Sequence, residues 1–213
     1  MSAKKATESA TAKMCRLLGI DEPYQAPARV MEIVTGDERD EVYMRLLDAY
    51  DCDVTYDWFH EFYEDENAER KKNKQDFTPT GLARLTSELV GYGDGVVYEP
   101  SAGTGGMLIS RWELERKRHH PFDYHPMMQW FVAEDMSDRA IPFLLLNLSI
   151  RGINANVLHI NSLTRQCKAA YLVENERNDM LAFSNVVELP KNEKFMEVFD
   201  IREWVTKWKE GSQ

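Results

Sequence analysis

Hydrophobic and polar residues alternate with a helical period through the first part of the chain, up to about residue 91. The segments "ESATAKMCRLLG" and "PARVMEIVTG" are predicted helices that end at Gly19 and Gly36, because glycine commonly terminates a helix. The segment "DERDEVYMRLLDAYD" opens with acidic residues, which favour a helix N-terminus. A further segment, "YDWFHEFYEDENAERKK", carries an aromatic stripe that predicts core packing: Trp58, Phe59, Phe62 and Tyr63.

The pattern changes from Gly93 onward, where short apolar runs alternate with helical segments. The predicted strands are "GVVYEP", "MQWFVAED", "ANVLHIN" and "AAYLVEN", and the predicted helices between them are "GGMLISRWELERKR" and "SDRAIPFLLLNLSIRG". Alternating strands and helices indicate parallel pairing with right-handed crossovers, and hence an α/β fold. The tail from Phe199 is predicted to form a last amphipathic helix capped by Asp200. We therefore divide the chain into a helical N-terminal region, residues 1–91, and an α/β domain, residues 92–213.

Composition indicates an ordinary soluble protein, with 43% hydrophobic and 29% charged residues. The longest apolar run, "IPFLLLNLSI", is too short to cross a bilayer, and the N-terminus lacks the apolar core of a secretory signal. The three cysteines are far apart in the sequence, which fits a reducing, cytoplasmic location rather than a disulfide framework.

The net charge of −10 disfavours binding of nucleic acid by the chain as a whole. Basic residues nevertheless concentrate in two runs, 70–75 and 111–118, which lie next to the most informative motifs. Each run is most simply a solvated face. DNA contact through these two runs is the alternative.

The segment "HHPFDYH" brings His119, His120 and His125 close together in the sequence. With two prolines nearby it is predicted to be an exposed loop, and we predict no metal site.

A glycine-rich stretch, "YEPSAGTGGML", separates the first predicted strand of the α/β domain from its helix. Such a turn lets a ligand approach the backbone N–H groups at a helix N-terminus, although it can also serve only as a tight turn. Glu99 directly precedes the loop, and its charge would repel a phosphate but attract a cation such as an amino-acid ammonium.

The second predicted strand ends in "AED", and an acid at that position commonly accepts hydrogen bonds from both hydroxyls of a ribose. A ligand that contains an adenosine and an amino-acid tail satisfies both Glu99 and this second acid. The sequence therefore predicts S-adenosylmethionine as the cofactor.

The segments "DFTP", "VVYEPSAGTGGMLIS" and "AEDMSDRAIPFLLLNLSIRGINANVLHINSL" together resemble the adenine-specific DNA methyltransferases. The similarity is to modification subunits of type I restriction-modification systems and their phage relatives, over about residues 70–165. It implies a Rossmann-like, S-adenosylmethionine-dependent methyltransferase sheet after N-terminal helices. It selects Asp135 over its neighbour Glu134 as the ribose-binding acid. The implied cofactor-binding residues are Phe77, Thr78, Pro79, Glu99, Pro100, Ser101, Ala102, Gly103, Thr104, Gly105, Asp135, Met136 and Asn161.

The catalytic motif of that family, an Asn or Asp followed by two prolines and an aromatic residue, does not occur in the sequence. By position, Asn175 occupies its first place, with Glu176 and Arg177 where the prolines belong. Asn175 is then either a vestige of the catalytic residue or a turn asparagine. The chain is also too short after the third strand to include a target recognition domain.

Two functions follow from this departure. In the first, the chain is a DNA methyltransferase that transfers a methyl group to the adenine exocyclic amine, and a partner such as a restriction-modification subunit supplies the target specificity. In the second, it is a pseudoenzyme that keeps the cofactor pocket and regulates or mimics such a subunit. Methylation of RNA or protein is a third, weaker hypothesis.

Overall fold

The computed structural model describes residues 8–60, 62, 79–90, 95–120 and 122–208. The helices before the sheet are α1 (Ala10–Leu18), α2 (Ala26–Thr35), α3 (Arg39–Ala49) and α4 (Thr80–Val90). The Ser9 hydroxyl accepts the Ala12 N–H at the start of α1, and Gly19 ends the helix with a φ of 71°. The predicted helix ends at Gly19 and Gly36 are confirmed.

Three parallel strands form the first half of the sheet: β1 (Gly95–Glu99), β2 (Gln129–Asp135) and β3 (Ala155–Asn161). They are connected through the helices α5 (Gly106–Arg118) and α6 (Ala140–Ile150). Every residue of α6 is buried, and Pro142 is accommodated within its first turn, where a missing N–H costs no helical hydrogen bond. The mixed α/β fold predicted from the sequence is confirmed in this half.

The second half of the sheet is antiparallel. Strand β4 (Gln166–Glu174) pairs antiparallel with β3, and β5 (Asn185–Glu188) pairs antiparallel with β4. The predicted strand "AAYLVEN" is therefore a strand, but the expected parallel direction is wrong. Residues 162–165 are too short a connection for a crossover and can only form a hairpin-like turn.

The C-terminal tail differs from its prediction. A short helix, α7 (Glu193–Val198), precedes Asp200, and a two-residue strand, β6 (Glu203–Trp204), pairs in parallel with β4. The predicted final helix capped by Asp200 is wrong, since Asp200 has a φ of 51° and ends the helical turn instead. Ile201 is buried against the sheet, which keeps the following residues extended along β4.

One hydrophobic core joins the N-terminal helices to the sheet. Trp58, Phe59 and Phe62 are buried in it, as the aromatic stripe predicted, and the Phe59 and Phe143 rings lie 4.9 Å apart. The fourth residue of the stripe, Tyr63, lies outside the described residues. The boundary predicted at residue 91 therefore does not separate two independent cores. Within the described part of the chain, no helix is long and apolar enough to cross a membrane.

Candidate functional site

The glycine-rich loop joins the end of β1 to the start of α5. Gly103 and Gly105 have φ angles of 56° and 100°, in the left-handed region that favours glycine. A Cβ on Gly105 would lie 2.9 Å from the Leu144 side chain, so α6 packs closely beneath the loop. The chain thus needs glycine here for both conformation and packing.

Asp135, the last residue of β2, is directed at this loop. One carboxylate oxygen accepts the Gly103 N–H at 2.8 Å, and the other accepts the Ser137 N–H at 2.8 Å. The strand register pairs Glu99 with Ala133, and side chains alternate along a strand. Glu99 and Asp135 therefore lie on the same face of the sheet at its carboxyl edge.

Glu134, the neighbouring acid, has a different environment. It is buried, and the Arg165 guanidinium donates to both of its carboxylate oxygens, at 2.9 and 2.7 Å. Its side chain points to the opposite face from Asp135. The geometry therefore makes Glu134 part of a buried ion pair and leaves Asp135 as the acid at the loop.

Glu99 is half-buried at the start of the loop. Burial raises the pKa of its carboxyl group above the usual glutamate range, and a hydrogen bond from the Ser101 N–H, at 3.3 Å, partly opposes this rise. Among the described residues, no Lys, Arg or His side chain forms an ion pair with it. A carboxylate in this position suits an incoming cation.

The remaining loop residues are held by backbone contacts. The Ala102 N–H donates to the Glu134 carbonyl at 2.9 Å, and the Ser162 hydroxyl donates to the Pro100 carbonyl at 2.7 Å. Ser101 is exposed. These contacts attach the loop to the ends of β2 and β3.

Thr104 is positioned differently from its prediction. Its side chain is buried, and its hydroxyl donates to Asp57 at 2.5 Å, so it faces the protein interior rather than a ligand. A direct cofactor contact by this side chain is not supported.

Met136 and Asn161 follow β2 and β3 at the same edge of the sheet. Met136 is half-buried, and its carbonyl lies 3.3 Å from Nε2 of His159. The Asn161 amide oxygen accepts the N–H groups of Leu163 and Thr164, both at 3.0 Å. These bonds stabilise the β3–β4 turn and engage the amide oxygen of Asn161, one of the residues predicted to bind the cofactor.

Of the "DFTP" segment before α4, the structure describes only the last residue. Pro79 is exposed immediately before that helix. Phe77, Thr78 and the basic run 70–75 lie outside the described residues.

Asn175 lies at the opposite edge of the sheet from the loop. It follows β4, which runs antiparallel to β3, so it is close to the start of β3. Its amide donates to the carbonyls of Gly152, Asp179 and Ala182, at 3.3, 2.8 and 3.0 Å. The catalytic role expected of Asn175 is incompatible with this position, because the direction of β4 separates the residue from the loop. The buried Asn175 side chain instead stabilises the turn that follows β4.

The basic run 111–118 forms most of α5, and its cations are paired within the helix. Arg116 and Lys117 bind Glu113 at 2.7 and 2.8 Å, while Arg118 binds Glu115 at 3.0 Å. Both glutamates are buried. Because the run has four cations and two carboxylates, these ion pairs neutralise it only in part and leave it basic.

The histidines at the end of α5 show no metal-binding arrangement. His119 lies 3.3 Å from Glu115, and among the residues that the structure describes no group of three or more His, Cys, Asp or Glu side chains could hold a metal ion. The neighbouring His120 and Phe122 rings lie 5.4 Å apart in the loop, tilted by 32°.

Three buried polar residues near the loop were not predicted: Asp57, Asn147 and Arg151. The Asn147 amide donates to Asp57 at 2.8 Å and to the Thr104 carbonyl at 2.7 Å. A signal was present in the sequence, since Asn147 interrupts the longest apolar run and a buried polar side chain must find partners.

A family model described as N-6 DNA methylase matches residues 53–204, more than two thirds of the chain. The matched region begins just before Asp57 and includes the glycine loop, Asp135 and the whole sheet. Comparisons with curated proteins and with solved structures gave no significant match.

Proposed function

Because the chain belongs to the N-6 DNA methylase family, whose members depend on S-adenosylmethionine, we propose that it binds this cofactor at the loop between β1 and α5. The observation that carries the proposal is the pair of carboxylates, Glu99 and Asp135, on one face of adjacent parallel strands. The two acids flank a loop whose glycines permit close backbone approach.

The residues present fit the chemistry of the cofactor. Glu99 has no cation partner among the described residues and would bind the ammonium of the methionine moiety. Asp135 accepts two backbone N–H groups, and an ionised carboxylate has about four lone-pair sites, so two ribose hydroxyls can still donate to it. Met136 would supply an apolar contact for the adenine ring. The bound cofactor would supply an electrophilic methyl group on sulfur.

The acceptor side of the reaction has no equivalent support in this chain. The family's Asn or Asp, two prolines and aromatic residue are absent from the sequence, and Asn175 lies at the far edge of the sheet. In methyl transfer, alignment of the acceptor with the methyl group contributes much of the acceleration. We therefore propose that the isolated chain binds cofactor without efficient turnover.

Two biological roles follow from this proposal. In the first, a protein partner such as a restriction-modification subunit supplies the residues that hold the target adenine. In the second, the chain regulates or mimics such a subunit and transfers no methyl group. The family match supports DNA as the substrate of either arrangement, and the basic residues of α5 remain a candidate contact for it.

Calorimetric titration of the purified chain with S-adenosylmethionine tests the cofactor site. Adenosine and methionine, titrated separately, test the Asp135 and Glu99 halves of the site. The Gly103→Arg variant serves as the negative control, because its side chain fills the loop and its backbone is strained at a φ of 56°. Absence of both heat and thermal shift with the wild-type chain would refute the proposed site.

A further inference from the structure

Asp57 and the glycine loop are connected by a buried polar network. Asp57 lies 47 residues before Thr104, and its Oδ2 accepts a hydrogen bond of 2.5 Å from the Thr104 hydroxyl. Its other oxygen, Oδ1, accepts the Asn147 amide at 2.8 Å and the Phe59 N–H at 2.9 Å. The carboxylate therefore joins the N-terminal segment, α6 and the loop at one point.

Asn147, on α6, binds the glycine loop through a hydrogen bond. It is fully buried, and its amide nitrogen donates both to Asp57 and to the Thr104 carbonyl, the latter at 2.7 Å. The loop is thus bound through both the side chain and the main chain of Thr104. Leu144, one turn earlier on α6, leaves no room for a side chain on Gly105.

Arg151 fixes the other side of the network. Its guanidinium donates to the carbonyls of Val54 and Tyr56, at 2.8 and 2.6 Å, and to the Asn147 amide oxygen at 2.8 Å. Burial lowers the pKa of Arg151 to about 10, and the nearby charge of Asp57 partly opposes this shift. The residue still carries its charge at neutral pH, so it orients Asn147 and restrains the segment that contains Asp57.

We propose that Asp57 is a positioning residue for cofactor binding, acting on the loop through Thr104 with Asn147 and Arg151 as its supports. This inference rests on the proposed function, because it concerns the same loop. Thr104 is only 1% exposed, so its hydroxyl acts by setting the loop conformation and not by touching the ligand. The segment that carries Asp57 then supports the cofactor site from within the predicted N-terminal region, residues 1–91.

Thr104→Val and Thr104→Ser are a matched pair for this proposal. Valine keeps the shape of threonine and removes the hydroxyl, whereas serine keeps the hydroxyl. We expect Thr104→Val to weaken S-adenosylmethionine binding by about tenfold and Thr104→Ser to retain most of the affinity. Equal affinities of the two variants would overturn the proposal.

A double-mutant cycle separates positioning from general stability. Asp57→Ala and Thr104→Val should each weaken cofactor binding. The double variant should have about the same affinity as the single variant that binds more weakly, because both substitutions remove the same hydrogen bond between Asp57 and Thr104. Ser149→Ala is the control, since Ser149 on α6 donates to the Ser184 carbonyl at 2.5 Å, away from the loop. It should lower the melting temperature and leave the affinity unchanged. Additive losses, or an equal loss of affinity in Ser149→Ala, would contradict a positioning role.

Hydrogen exchange of the Gly103 and Gly105 amides tests the same inference without a ligand. Both amides donate hydrogen bonds, to Asp135 and to the Ala102 carbonyl, and should exchange faster in Thr104→Val than in the wild type or in Thr104→Ser. If the wild type binds no cofactor, the proposed function fails, while faster exchange in Thr104→Val still supports the role of Asp57 in ordering the loop. Unchanged exchange would overturn that role. If Asp57→Ala does not fold, the two Thr104 variants decide the question alone.

Discussion

The Asp135 carboxylate accepts the Gly103 N–H at 2.8 Å, across 32 residues of sequence, and so ties the end of β2 to the middle of the glycine loop. The bond brings Asp135, which is predicted to bind the ribose of the cofactor, next to the loop that follows Glu99. Glu99 is predicted to bind the ammonium group of the same ligand. It also gives Asp135 two tasks, since the same group orders the loop and faces the proposed cofactor.

Replacement of Asp135 by alanine should weaken S-adenosylmethionine binding by at least tenfold, because charge-assisted hydrogen bonds contribute about 1.5–3 kcal/mol each. Glu134→Ala should leave the affinity nearly unchanged and lower the stability instead, since it strands the Arg165 guanidinium in a buried site. Calorimetry and thermal melts of both variants make the comparison. The reverse ranking of the two affinities would mean that Glu134 is the acid that faces the ligand.

Gly103→Ala should reduce cofactor binding, because alanine is strained at a φ of 56° and the loop would have to change conformation to relieve that strain. Gly19→Ala is the matched control, with a φ of 71° and no atom within 4 Å of the added Cβ. Each substitution should cost about 1–2 kcal/mol in stability. Wild-type affinity in Gly103→Ala would show that the loop does not contact the cofactor.

The affinity for S-adenosylmethionine should fall as the pH is lowered from neutrality into the acidic range. The pKa of Glu99 is raised in the folded chain, so this carboxyl group takes up a proton at a higher pH than an ordinary glutamate and then loses its attraction for an ammonium. Glu99→Gln should bind more weakly at neutral pH and show a flatter pH profile. Parallel profiles for the two proteins would exclude Glu99 as the ammonium partner.

The raised pKa of Glu99 also affects stability, with a defined sign. A carboxyl group whose pKa is higher in the folded than in the unfolded state favours folding at low pH, and this contribution is lost as the pH rises through the unfolded and then the folded pKa. Without ligand, Glu99→Gln should therefore gain stability relative to the wild type as the pH rises towards neutrality. Chemical denaturation at several pH values measures the difference.

Asn175→Ala should destabilise the fold by about 1–3 kcal/mol, because it removes the hydrogen bonds that the buried Asn175 side chain donates to the carbonyls of Gly152, Asp179 and Ala182. Its affinity for the cofactor should match that of the wild type, since Asn175 lies at the other edge of the sheet. A loss of cofactor affinity without a loss of stability would indicate that Asn175 belongs to the cofactor site.

The isolated chain should transfer little or no methyl group to adenine-containing DNA in an assay with tritiated cofactor. The sequence lacks the residues that hold the target amine, and the net charge of −10 opposes approach to DNA. Incorporation only after addition of restriction-modification subunits would support a split enzyme, and none in either case would support a regulator or decoy. Robust incorporation by the chain alone would refute the proposed dependence on a partner.

The features that local sequence determines were predictable. Gly19 marks a helix end because glycine adopts the left-handed conformation found there, and the loop at Gly103 follows from the same property. At Gly36 the backbone is extended, and glycine fits because a Cβ would lie 2.6 Å from the Glu32 carbonyl oxygen. The strand β3 was also predicted with its observed bounds, since "ANVLHIN" is apolar and flanked by turn residues.

The features that depend on distant contacts were not predictable in the same way. The alternation of strands and helices predicts a parallel β4, but no helix separates β3 from β4, and the four-residue connection between them allows only an antiparallel return. The partnership of Asp57 with Asn147 spans 90 residues, and no local pattern indicates which buried polar residues meet.

The four-residue turn between β3 and β4 has a consequence for the order of folding. Contacts between neighbours in the sequence form quickly, whereas contacts that close long loops form slowly. The β3–β4 hairpin needs only its own turn, but the loop at Thr104 needs Asp57 and α6, which are far away in the sequence. We therefore expect a refolding chain to complete its antiparallel half first and to assemble the cofactor loop among its last steps.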